Sequence, residues 1–182
     1  MDNKCVKDLM VPLDEYAVIH QDAPLLDAIL ALDKAQLKLT PGKFKHRAVL
    51  VVDDNNKVIG KIGQFSFLKA LEPKYNVMSD LANLDIAGVD SQYLSKVMEH
   101  YQLFQDSLSN LAASAHAIKA KEVMQTVAES IDEDAPLSEA IHKIIMGQRL
   151  SILVSQKSKI VGVLRLSDLF EEMSVQMKKL AK

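Results

Sequence analysis

The sequence predicts an α/β fold of the α+β kind, built from two copies of one strand–helix–strand–strand–helix unit with a helical hairpin-like insertion between them. Two observations carry this. Short segments recur in the same order at consistent offsets. Within each copy, apolar residues switch between helical spacing and short β-branched runs.

The first copy opens on Val6-Lys7-Asp8-Leu9-Met10 and the second on Ala120-Lys121-Glu122-Val123-Met124. Each is followed by an acid-Ala-Pro-Leu step, Asp22-Ala23-Pro24-Leu25 and Asp134-Ala135-Pro136-Leu137. Leu25, Ala28, Ile29 and Leu32 then match Leu137, Ala140, Ile141 and Ile144 at an offset of 112, in the i, i+3, i+4, i+7 spacing of one buried helix face. Proline suits the first turn of such a helix, where its missing N–H costs nothing. The offset then becomes 102, matching Arg47 to Arg149 and Val49-Leu50-Val51-Val52 to Ser151-Ile152-Leu153-Val154. These runs read as buried strands. Polar turns follow, then Val58-Ile59-Gly60 and Ile160-Val161-Gly162 as the next strands, then apolar helices over 65–71 and 168–180. The change of offset places an insertion around 37–45, with Thr40-Pro41-Gly42 as its breaker. The expected divisions are 1–72, 73–119 and 120–182.

Composition narrows the function. With 182 residues, 48% hydrophobic and 25% charged, the chain can bury a real core. A net charge of −2 gives no global attraction to nucleic acid, and 5% aromatics with no Trp make a poor base-stacking surface. No apolar run approaches the roughly 18 residues of a membrane helix, and Met1-Asp2-Asn3-Lys4-Cys5 lacks an apolar signal core. One cysteine makes no internal disulfide, so a cytoplasmic location is expected. The five histidines show no ligand spacing, and no nucleophile elbow, Walker or Rossmann motif occurs. A metal site and an enzymatic activity are not expected.

Residues 73–119 predict a short helix over 78–87, ended by Gly88, and then a long helix capped by Asp90 or Ser91 with no Gly or Pro up to Met124. Leu94, Val97, Tyr101, Phe104, Leu108, Leu111, Ala115 and Ile118 step by 3 and 4 along it, a heptad stripe. The stripe fits packing on the chain's own repeats, a homodimer seam, or a groove for another protein. A homodimer is expected, because soluble monomers avoid so large an apolar patch.

The paired pattern resembles the CBS (cystathionine beta-synthase) domain in tandem, the Bateman module. The second copy closes as Val161-Gly162-Val163-Leu164-Arg165-Leu166-Ser167-Asp168-Leu169, similar to the family's Val-Gly-Ile-Val-Thr-x-x-Asp-Leu, and the first as Ile59-Gly60-Lys61-Ile62-Gly63-Gln64-Phe65-Ser66-Phe67. The resemblance implies two repeats packed about a pseudo-two-fold. It also implies a non-catalytic regulatory module that binds an adenosine-containing ligand, such as AMP, ADP, ATP or S-adenosylmethionine, between them. It implies ribose contact by Asp168 and phosphate contact at Arg165, which replaces the family's Thr. Thr126 and Val127 would edge the base, and Arg47 and Arg149 would face the cleft. The first copy departs from the pattern, with Gly63 for Thr and Ser66 for Asp, so only the second site is expected to be intact. Asp168 also fits a second reading as the N-cap of the last helix, with Glu171 three residues on. Gly63 reads as a bulge or a close backbone approach. The alternative to a nucleotide sensor is a ligand-free interaction module with a regulated protein partner.

Overall fold

The computed structural model describes residues 4–39, 44–72, 96, 107–127 and 129–180. In chain order these form β1 (Val11–Pro12), β2 (Val18–His20), α1 (Leu25–Leu37), β3 (Ala48–Val52), β4 (Val58–Gly63), α2 (Gln64–Leu71), α3 (Leu108–Ser114), α4 (Ala120–Val123), β5 (Gln125–Thr126), β6 (Ser130–Asp132), α5 (Leu137–Met146), β7 (Ser151–Gln156), β8 (Lys159–Arg165) and α6 (Leu166–Leu180). Short 3-10 turns at Val6–Asp8 and Leu13–Glu15 precede β1 and β2.

The strands make two four-stranded sheets, β2-β3-β4-β5 and β1-β8-β7-β6. Each has a parallel pair, β2 with β3 and β6 with β7, bridged by α1 or α5, and an antiparallel hairpin, β3 with β4 and β7 with β8. Every residue of β3 is buried because the strand is covered on both faces. Val49 and Val51 point to the core under α1, whereas Leu50 and Val52 meet Leu153 and Val163 of the other sheet. Ile152 and Val154 repeat the pattern over α5, in a core with Val6, Ala140 and Ile144.

The lead-in segments are exchanged between the repeats. Residues 5–12 dock on the second copy: Val6 N–H donates to Ala135 O (3.0 Å), Lys7 N–H to Glu133 O (2.9 Å), and β1 pairs with β8. Residues 119–126 dock on the first: Ala120 N–H donates to Ala23 O (2.9 Å), Lys121 N–H to Gln21 O (2.9 Å), and β5 pairs with β4. The packing units therefore cross the sequence divisions at 1–72 and 120–182.

The ladders revise the strand alignment. Leu50 pairs with Lys61, and Leu153 with Val163. Since Lys61 matches Val163 at 102, Leu50 matches Leu153 at 103 and the first copy's insertion is nine residues, not ten. Turn chemistry is the reason. The second hairpin closes on Lys157 and Ser158, both at positive φ, as in a two-residue turn. The first takes one residue more, wrapped around Asp53, whose Oδ1 accepts from the N–H groups of Asn55 and Lys57 (both 2.9 Å). Arg47 is consequently the counterpart of Leu150, and Arg149 that of His46.

Three further expectations change. The uninterrupted helix to Met124 is not formed: α3 begins after Ser107, whose hydroxyl caps Asn110 N–H, and ends in a turn at 115–119. That turn is used by tertiary structure, since Leu25 and Leu26 at the start of α1 donate to Ile118 O (2.8 Å) and Ala115 O (3.2 Å). Ala115 is buried and Ile118 half-buried in the first core, so the end of the stripe is intramolecular. The predicted helix over 78–87 and Leu94, Val97, Tyr101 and Phe104 lie outside the described residues. Pro24 and Pro136 sit at the N-cap rather than in the first turn. A Cβ on Gly63 would meet nothing, so Gly63 marks no close approach. Among the described residues the glycines crowded by main chain are Gly60, whose Cβ would lie 2.9 Å from Gln125 O, and Gly162, 2.6 Å from Val11 O. They are the points where the exchanged strands lie against each sheet.

Candidate functional site

The edges of the two sheets enclose one cleft of about 770 Å³ that runs across both repeats. Arg47, Thr126, Val127, Arg149 and Arg165 all line it. Asp168 does not, and Gly63 and Ser66 of the first copy do. Among the described residues five cationic side chains, Lys45, Arg47, Lys61, Arg149 and Arg165, line it against one carboxylate, Glu129. Leu150, Ile152, Leu153, Leu166 and Phe170 supply apolar wall.

The cations differ in how far they are committed. Arg47 is exposed where the chain enters β3; its carbonyl accepts from Gln64 N–H (3.3 Å), and its guanidinium makes no hydrogen bond or ion pair among the described residues. Arg149 pairs with Glu129 (Nη1 to Oε2, 3.1 Å), which also meets Lys143 (3.3 Å). Lys61 was not singled out by the sequence. It projects from β4 and donates to the Ser151 carbonyl (2.9 Å) and hydroxyl (3.1 Å), tying the repeats together across the cleft. Burial, then the nearby Arg149 charge, hold its ammonium below the usual lysine range. Lys61 stands at the motif position where the family has Ile and the second copy has Val163, a charged residue in place of an apolar one. The alternation of β4 is the signal that could have found it.

Arg165 is the most constrained. It ends β8 with 5% of its surface exposed. Its Nε and Nη2 donate to Oδ2 and Oδ1 of Asp168, both at 2.6 Å, and its Nη1 donates to Phe44 O at 2.7 Å. A two-pronged guanidinium–carboxylate pair is the strong geometry for this interaction. It also overturns the capping reading of Asp168. Helix α6 starts at Leu166, whose N–H donates to Leu150 O (2.9 Å), so Asp168 lies inside the first turn and spends its carboxylate on Arg165.

Close to this pair lie His46 and Tyr16, which itself lines the cleft, with ring centroids 4.5 Å apart. Burial pushes the Tyr16 phenol up to about 12, with smaller opposed effects of Arg165 and Asp168. His46 is 1% exposed and neither ring nitrogen has a hydrogen-bond partner of normal geometry. Burial first, then the Arg165 charge, depress its basicity, against weaker opposing effects of Glu15 and Asp168. The ring is thus kept neutral beside a fixed cation. Thr126 is exposed and Val127 half-buried on the exchanged segment; Val127 N–H is spent on Ile59 O (3.1 Å). Among the described residues no group of His, Cys, Asp and Glu could hold a metal ion, and no helix is long and apolar enough to cross a membrane.

The sequence pattern of the CBS domain matches residues 6–73 and 120–175, two segments that together exceed half of the chain. The chain belongs to the CBS domain family. Its fold is similar to that of the CBS-pair protein CBSX2 from Arabidopsis thaliana (TM-score 0.63, 14% identity, 97% of this chain and 98% of that one). It is similar as well to a CBS domain-containing protein of unknown function from Bacillus anthracis (0.63, 16%, 94% and 93%). A structure of CBSX2 in complex with AMP also superposes (0.59, 15%, 96% and 98%). No curated protein sequence matches the chain. This CBS pair is thus defined by a fold shared at low identity, and its paired sheets are those of the tandem CBS arrangement.

Proposed function

We propose that this CBS pair is a cytoplasmic, non-catalytic regulatory protein that takes an adenine nucleotide or related adenosyl ligand in the cleft between its repeats. The observation that carries the reading is the charge of that cleft, five cations against one carboxylate in a chain of net charge −2. A cationic recess on a nearly neutral protein suits a phosphate-bearing ligand. Arg165, Arg47 and Arg149 are the phosphate partners in this reading, and the apolar wall beside Thr126 and Val127 takes the base. The CBSX2 complex with AMP supports the ligand class. Regulation then requires that the ligand bind one geometry of the pair better than another.

The test is a thermal-shift titration of the full chain with AMP, ADP, ATP and S-adenosylmethionine. A ligand present at about 100 times its dissociation constant adds about 2.7 kcal/mol of stability. No shift with any of the four overturns the ligand and leaves the second reading, an interaction module. Its supporting observation is the exposed apolar side chains of two helices, Phe65 and Leu68 on α2 and Phe170 and Met177 on α6. A homodimer through such surfaces is expected under either reading, and sedimentation at high micromolar concentration tests it.

A further inference from the structure

The apolar faces of α2 and α6 have nothing in the structure to say what covers them. The small recess of about 380 Å³ beside Gln36 shares Phe44, Lys45, Arg47 and Gln64 with the main cleft and makes no separate site. The Arg165–Asp168–Phe44 arrangement controls access to the second half of the cleft.

Asp168 is set back from the cleft, and Arg165 stands on the wall in front of it. Both Asp168 oxygens are taken by the guanidinium, whose third arm holds the main chain of Phe44 across 121 residues of sequence. Side-chain exposures of 7% for Arg165 and 13% for Asp168 leave no open approach to the carboxylate. A ligand hydroxyl can reach Asp168 only when Arg165 withdraws, and withdrawal also releases Phe44 O. The segment 44–47 carries Lys45 and Arg47, two of the cleft's five cations, and the buried His46. Occupation of the second half of the cleft and placement of the first half's cations are therefore linked through one guanidinium.

We propose that Arg165 is an internal stand-in for the ligand. It is a latch that closes the second half of the cleft in the ligand-free chain and pins residues 44–47, and it exchanges Asp168 for the ligand's phosphate when a nucleotide enters. This rests on the nucleotide reading above for the identity of the ligand. The latch makes the two halves of the cleft interdependent and sets a threshold against ligands that lack an anionic group. Adenosine offers Arg165 nothing in return for Asp168, whereas AMP offers a phosphate.

The experiment is calorimetric titration of AMP and of adenosine into the full chain and into R165M, which keeps a long side chain and removes every donor. Amide exchange across 44–47 is followed in parallel. The wild type is expected to bind AMP and to bind adenosine poorly. R165M is expected to bind adenosine at least about tenfold more tightly than the wild type, because the carboxylate is no longer engaged. Ligand-free R165M is expected to show faster exchange at 44–47. Should R165M not fold, R165K, which keeps the charge but loses the fork, is expected to give the same direction with a smaller change. Wild-type AMP binding with adenosine affinity unchanged or weaker in the folded variant overturns the latch and spares the nucleotide reading. Absence of AMP and adenosine binding in both proteins overturns the nucleotide reading and the latch with it.

Discussion

Lys7 and Asp134 lie 127 positions apart in sequence and meet, with Nζ 2.6 Å from Oδ1. Their counterparts repeat the contact in the other direction, Lys121 with Asp22 at 2.8 Å. Each lead-in segment is thus registered on the other repeat's acid-Ala-Pro step. The partners hold the Lys7 and Lys121 ammonium groups above, and the Asp22 carboxyl below, their usual ranges. These groups are exposed, so the pairs act as register marks more than as sources of stability.

The exchange predicts a pattern of glycine tolerance. Gly162→Ala sets a methyl against Val11 O and Gly60→Ala sets one against Gln125 O. Each should cost about 1–3 kcal/mol in urea unfolding through overpacking at the exchanged strand. Gly63→Ala meets open space at φ −86 and should stay within about 0.5 kcal/mol. Equal tolerance at all three positions would remove the exchanged strands from the account.

Asp168→Ala leaves the Arg165 guanidinium buried with only Phe44 O. The expected loss is about 3–5 kcal/mol, the cost of orphaning one partner of a buried pair. Ser66→Ala, at the matching position of the first copy, should change stability by less than about 0.5 kcal/mol. Chemical denaturation of both variants checks the contrast, and AMP titration should find Asp168→Ala at least about tenfold weaker and Ser66→Ala unaffected.

His46 gives a pH dependence with a definite sign. Its folded basicity lies below the ordinary value of 6.5, so the unfolded chain binds the extra proton first. The stability tied to neutral His46 is present above pH 6.5 and is lost as pH falls from there through the lower folded value. Glu15, Asp168, Arg165 and Tyr16 are the ionisable neighbours. His46→Leu removes the titrating ring and should flatten the fall of the urea midpoint below pH 6.5. An unchanged slope would place the titration elsewhere.

Much of this architecture could be read directly. The 112-residue match of α1 to α5 and the hydrophobic runs of β3 and β7 located the repeats, and the paired pattern of the two copies pointed to the family. The strand register could not be read, because a one-residue difference lay in two polar turns of different geometry and Arg47 and Arg149 made a misleading match. The exchange of lead-in segments was hidden as well: a short strand such as Val11–Pro12 carries no mark of which sheet it joins. The long helix failed at Ser107, whose capping by its own hydroxyl outweighs a heptad pattern without breakers. At the site, residue types indicated a cationic cleft, but the closure of Arg165 on Asp168 depends on α6 starting two residues earlier than expected.

Leu108 tests what remains of the stripe. It is 85% exposed in the first turn of α3, so Leu108→Asp should leave the folded stability of the chain within about 0.5 kcal/mol. In sedimentation the substitution should convert dimers into folded monomers if Leu108 lies in a homodimer seam. A wild-type chain that sediments as a monomer at high micromolar concentration removes the dimer.

The cationic cleft as a nucleotide site is tested most directly by titrating AMP into the wild-type chain in calorimetry at two salt concentrations, alongside the double variant Arg47→Ala, Arg149→Ala. Saturable binding is expected, weakening as salt rises and falling at least about tenfold in the double variant, as the loss of charge-assisted phosphate contacts implies. Saturable binding indifferent to both salt and the two arginines, or no binding of AMP at millimolar concentration, would contradict it.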